Sequence, residues 1–234
     1  MTTLAALAEG ADIITLLMRF LGIDNTQRPT ENRAPVSLVK QVGSEILELD
    51  LASKVEHVVF SRDGMYSLAA SKTGIYFLDA TGLSKLAHTA DQPGFEPSQV
   101  VESTDMLAVL ASPQTDRVAV VKGDATKPSD LRIFQVNAPD KMVIPAFDGK
   151  NLLNPQDYAR ALLLRQVYDN QVINIVPYTK PQRDVLVLGT WGPTQEFADI
   201  EFSLVYPPKD KHDPTVRFNP VWEDKTHVLY LAHP

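Results

Sequence analysis

The chain contains no cysteine. That excludes disulfides, thiolate zinc sites, iron–sulfur clusters and a cysteine nucleophile. It also lacks a phosphate-binding loop, a dinucleotide glycine fingerprint, a His-Glu-x-x-His pair and a Gly-x-Ser-x-Gly elbow. Those absences count against the common motif-bearing enzyme classes. Lys and Arg form no cluster and the formal net charge is −7, so the chain is a poor match for nucleic acid. No Lys or Arg precedes Arg19, so the basic start of a classical secretory signal is missing. Glu9, Asp12 and Arg19 interrupt the apolar stretch Leu4–Ile23, whereas a membrane span needs ~20 nearly uncharged residues. These features lead us to expect no membrane span and a cytoplasmic protein, or one built into a macromolecular complex.

What is present begins with a helical seam. Leu4, Leu7, Ala11, Ile14, Met18 and Leu21 alternate at spacings of three and four, an a/d pattern with the charged residues off it. Ile13, Leu16, Leu17 and Phe20 widen the apolar face, which must be buried against something. The helix either packs on its own domain or docks on a partner or a second copy. Asp24–Pro35 is polar, holds two prolines and has no periodicity, as a linker does. The chain thus divides into a helix over 1–23, a linker over 24–35 and a folded domain over 36–234.

The domain reads as β structure. Val55–Phe60 is rich in β-branched and aromatic residues, as strands are. Ser61–Gly64 supplies a turn with a hairpin-prone Asp-Gly. Met65–Ala70 and Ile75–Asp79 follow as strands, separated by Ser71–Gly74. The runs VVFSRDG (Val58–Gly64), SLAAS (Ser67–Ser71) and GIYFLD (Gly74–Asp79) resemble a blade of a WD40-like β-propeller. Arg62 stands where that family has proline, and Leu78 where it has tryptophan. The resemblance is to propellers generally and implies a ring of four-stranded blades.

The layout recurs. Met106–Val136 repeats it, with Ser112-Pro113 standing where Ser61-Arg62 stood. Val172–Thr190 with Asp199–Tyr206 gives a third copy, and Thr215–Ala232 the first two strands of a fourth. Ser37–Val42 and Glu45–Leu51 are candidates to complete that fourth blade, closing the ring between the chain ends. Asn154–Gln171 reads as an inserted helix, with Asn154 as N-cap and Pro155 in the first turn. The expected fold is therefore mainly β: a small, about four-bladed propeller-like domain with an N-terminal amphipathic helix and one inserted helix.

Candidate chemistry is sparse. The five histidines, His57, His88, His212, His227 and His233, show neither helical i, i+4 nor strand i, i+2 spacing, so the pattern specifies no metal site. Glu48 and Asp50 share a strand face, as do Asp199 and Glu201, and both pairs read as solvated. Trp191 and Trp222 fit either interaction anchors or blade packing. No cofactor is implied. The reading is a non-catalytic interaction or scaffold subunit of a larger assembly, such as a phage or secretion-machine component. Protein partners or self-association would use the N-terminal helix. The alternative is a hydrolase with its site at the central opening of the propeller.

Overall fold

The computed structural model describes residues 41–88, 96–124, 131–142, 164–179, 182–190, 200–209 and 211–234. Among them, sixteen strands form four antiparallel four-stranded sheets. The protein is mainly β, in a four-bladed propeller-like arrangement. The N-terminal helix expected over 1–23 and the linker over 24–35 lie outside the described residues.

The first blade is β3 (Ser67–Ser71), β4 (Gly74–Asp79), β5 (Gly82–Leu86) and β6 (Ser98–Glu102). The second is β7 (Met106–Ala111), β8 (Val118–Lys122), β9 (Arg132–Gln135) and β10 (Ala138–Met142). The third is β11 (Val167–Tyr168), β12 (Gln171–Thr179), β13 (Gln182–Thr190) and β14 (Phe202–Tyr206). The closing blade takes β15 (Val216–Trp222) and β16 (His227–His233) from the C-terminus. It takes β1 (Gly43–Asp50) and β2 (Glu56–Met65) from the N-terminal side.

The seam between the two chain ends is β1 against β16, with Leu47 opposite Tyr230 and Leu49 opposite Val228. The expected closure is therefore present, but its second strand differs. Residues 37–40 lie outside the described residues, and 41–42 precede β1 without strand pairing. The edge is supplied instead by β2, which runs unbroken through Ser61–Gly64. The Asp63-Gly64 hairpin is thus not formed. Gly64 takes a φ of 85°, and the chain crosses to the first blade at Tyr66. Each blade boundary near the N-terminus consequently shifts by one strand. The counterpart of Ser112 is Ser71 rather than Ser61. Ser71 ends one innermost strand and Ser112 directly follows another, and both accept a backbone N–H two residues on, from Thr73 and from Gln114.

The helix expected over Asn154–Gln171 is not formed in its described part. Leu164–Gln166 is a 3-10 turn and Val167–Tyr168 is already strand. Residues 154–163 lie outside the described residues.

Continuous apolar runs mark the inner strands because both of their faces are covered. On the closing blade, odd and even residues serve different neighbours. Ile46, Phe218, Leu229 and Leu231 pack with Leu68, Ile75 and Phe77 of the first blade. Leu47, Leu49, Trp222, Val228 and Tyr230 pack with Ile173, Leu186 and Tyr206 of the third. Between the first and second blades, Ala69, Tyr76 and Leu78 meet Val109, Val118 and Val120. Gly82 holds a φ of 127°, and a Cβ there would collide with the carbonyl of Val101. Glycine alone lets β5 start so close to β6.

The turns joining the first two strands of each blade lie on one face, termed upper here. Residues 41–42 and 233–234 lie on the opposite, lower face, where Glu45 pairs with Ala232 and Val216 with His233.

Candidate functional site

The innermost strands converge on one side chain. Arg165, in the 3-10 turn that leads into β11, is 4% exposed. Its guanidinium donates to the Leu68 carbonyl at 2.9 Å and Ser67 Oγ at 3.1 Å in the first blade. It donates to the Val109 carbonyl at 3.4 Å in the second and to Asn219 Oδ1 at 2.7 Å in the closing blade. One residue of the third blade thus bonds the inner strands of the other three. Five donors in a rigid fork suit this task, because blade axes meet at a point no short side chain could span. Asn219 adopts a φ of 59°, at the irregularity where β15 slips against β16. That conformation suits asparagine better than most residues. Its amide also donates to the Tyr66 carbonyl at 3.3 Å.

A second arginine organises the junction of the third and closing blades. Arg217 donates twice to Glu56, through Nε and a terminal nitrogen, each at 3.1 Å. It also donates to Asp213 Oδ2 at 2.8 Å. Tyr230 Oη hydrogen-bonds to Glu56 Oε2. The guanidinium stacks 5.5 Å from the Tyr206 ring centroid and 5.9 Å from that of Tyr230. Burial alone would raise the Asp213 carboxyl, but hydrogen bonds from Arg217 and Thr215 outweigh it and hold it at about 2. Burial disfavours the Arg217 charge, yet Glu56 and Asp213 keep its pKa raised. Burial and the adjacent Glu56 carboxylate both raise the Tyr230 phenol.

Beside this network, on the lower face, lies a cleft of about 280 Å³ lined by Pro177, Arg183, Asp184, His212, Pro214, Thr215 and Val216. Asp184 accepts the Arg217 backbone N–H at 3.0 Å. Arg183 is buried and donates to the Lys211 carbonyl at 3.2 Å. The walls mix both charge signs with apolar surface. Among the described residues, no group of three or more His, Asp or Glu side chains is arranged to hold a metal ion. None of their helices is long and apolar enough to cross a membrane.

Leu4, Leu7, Ala11, Ile14, Met18, Leu21 and Trp191 lie outside the described residues. For Trp222 the structure favours the packing reading. It is 0% exposed, its indole N–H donates to the Gln166 carbonyl at 2.9 Å, and Tyr168 packs against it at 5.8 Å. It is a blade-packing residue in this fold, because the β15 end turns it toward the third blade. Glu48 is a correction. It is 3% exposed rather than solvated, with His57 Nε2 at 3.0 Å.

Neither arginine was legible as a site. Arg217 carried one signal, its place between apolar neighbours on a strand. Arg165 sat in a segment whose periodicity looked helical.

No protein-family model matches the chain, and no curated protein matches it. A solved structure provisionally described as TolB from Agrobacterium tumefaciens is similar, with 9% identity and a TM-score of 0.32. The match covers 77% of this chain and 58% of that one. A likeness of that size carries no inference about activity.

Proposed function

We propose that the chain is a non-catalytic interaction subunit: a four-bladed platform whose N-terminal seam, Leu4 to Leu21, docks on a partner or a second copy. The observation that carries this reading is Arg165. A hydrolase at the central opening needs a pocket on the axis with convergent, titratable side chains. Here the meeting point of the inner strands holds a buried guanidinium, bonded to two carbonyls, a hydroxyl and an amide. A guanidinium neither attacks nor exchanges a proton at ordinary pH. The position of residue 41 adds support. The chain enters the platform at the lower face, so residues 1–40 are tethered to the side that carries the charged cleft.

Light scattering after size exclusion tests the proposal. The full chain is expected to run well above the mass of one copy, and a chain lacking residues 1–28 to run as a monomer. Substituting Leu7 and Ile14 with aspartate should act like the deletion. A full chain that is monomeric, and that also captures no partner through an intact seam, would overturn the docking reading.

A further inference from the structure

Three histidine–carboxylate pairs crowd the upper end of the closing blade. His57 Nε2 is 3.0 Å from Glu48 and His227 Nδ1 is 2.9 Å from Asp224. Both of those pairs lie within the closing sheet and its turn. The third crosses between blades. His88, just beyond β5 of the first blade, places Nδ1 2.9 Å from Glu223 Oε1, at the end of β15. Its Nε2 lies 2.6 Å from the carbonyl oxygen of Ser71.

The geometry constrains the protons. A carbonyl oxygen only accepts, so Nε2 must carry hydrogen. Nδ1 then faces a carboxylate oxygen, and a proton must lie between those two atoms. The pair therefore holds one proton more than a neutral imidazole beside an ionised carboxylate. Glu223 is 5% exposed, so loss of that proton would leave a lone pair facing a buried anion.

We propose that this proton is a latch: while it is held, His88 ties the exit of the first blade to the closing blade, and its loss releases the upper end of that junction. Among the described residues, the elements that meet here carry Glu48 and Asp50 on β1, His57 on β2, and Glu223, Asp224, Lys225 and His227 around the β15–β16 turn. The first blade brings Lys72 beside Ser71, and Lys85 on β5. Carboxylates outnumber lysines in this set, which favours retention of the proton. His227 behaves in the same sense. Burial works against its charge, but the hydrogen bond to Asp224 and nearby Glu48 and Asp50 raise its pKa. A latch of this kind is closed at low pH and opens as pH rises, the reverse of a depressed carboxylate.

Long-range ¹H–¹⁵N spectra of the ¹⁵N-labelled full chain, recorded from acid to mildly alkaline pH, test it. His88 should show hydrogen on both ring nitrogens at a pH well above ~6.5, where a free imidazole has lost one. Above the release, amide exchange of Gly82–Leu86, corrected for intrinsic rate, should rise by about tenfold, the equivalent of one pH unit of coupling. Glu223→Gln should abolish both the retention and the exchange step. If that variant fails to fold, the wild-type profile decides by itself. His88 losing its second proton at about pH 6.5, as a free imidazole does, or exchange at Gly82–Leu86 that is flat across the range, would overturn the latch.

Discussion

The two faces of the closing blade meet neighbours of different chemistry. Toward the first blade, Ile46, Phe218, Val221, Leu229 and Leu231 present hydrocarbon to hydrocarbon, with charged pairs at its two ends, His88 with Glu223 at the upper and Arg62 with Asp79 at the lower. Toward the third blade, Trp222 and Tyr230 share the surface with Arg217, Glu56 and Asp213. The apolar face is held by area and shape, which tolerate small slips of register. The ionic face is held by directed bonds, which do not. That difference suits a sheet assembled from both chain ends. Glu56 belongs to β2 and Arg217 to β15, and 161 residues separate them. A bidentate pair between the outer and inner strands fixes how the N-terminal half sits on the C-terminal half. A buried pair adds little net stability by itself, but breaking it leaves an uncompensated charge.

The largest effect is therefore expected on the ionic face. Arg217→Ala should cost about 3–5 kcal/mol in urea unfolding, since Glu56 and Asp213 remain buried without it. Leu231→Ala, on the apolar face, should cost about 2–5 kcal/mol. The sharper distinction is salt and pH: the Leu231→Ala loss should be constant across conditions, and the Arg217→Ala loss should shrink in acid. Equal pH dependence of the two losses would erase the contrast between the faces.

Acid alone should separate the faces next. The Asp213 carboxyl sits near 2 in the fold and near 3.8 in its ordinary state. Its contribution is complete above about pH 4 and is lost as pH falls toward 2. Asp213→Asn should be less stable than the parent at neutral pH and converge on it near pH 2, as followed by thermal melts. A constant gap down to pH 2 would mean that Asp213 acts by packing rather than charge.

The smallest effect is expected on the outer strand. Val58 is 50% exposed on β2, so Val58→Thr should change stability by no more than about 0.5 kcal/mol. A larger loss would show that the edge of the closing blade is covered in solution, which would support self-association.

Much of the ring was legible because local signals carried it. Met106–Ala111, Val118–Lys122 and Leu186–Leu188 are short apolar runs between turn residues, and such runs have few alternatives to a buried strand. Closure was legible from the incomplete fourth copy. At Ser61–Gly64 the pairing of a whole strand outweighs a local turn dipeptide: β2 continues along β1 through an irregularity between Ser61 and Met65, and the Arg62 guanidinium pairs with Asp79 at 3.0 Å. The helical period of Asn154–Gln171 gives way to strand at its described end because Val167 pairs with Val172, a contact across a turn that outweighs the local spacing.

The sequence by itself determined that this chain is cysteine-free and acidic, builds repeated four-stranded sheets, and lacks the motifs of familiar catalysts. Those properties follow from composition and from patterns within a few residues. Only the tertiary structure decided that Arg165 bonds the inner strands of three blades, that Trp222 is core, and that Arg217 meets Glu56. Each of those contacts joins residues more than fifty positions apart, and a pairing across that distance leaves no local pattern to read.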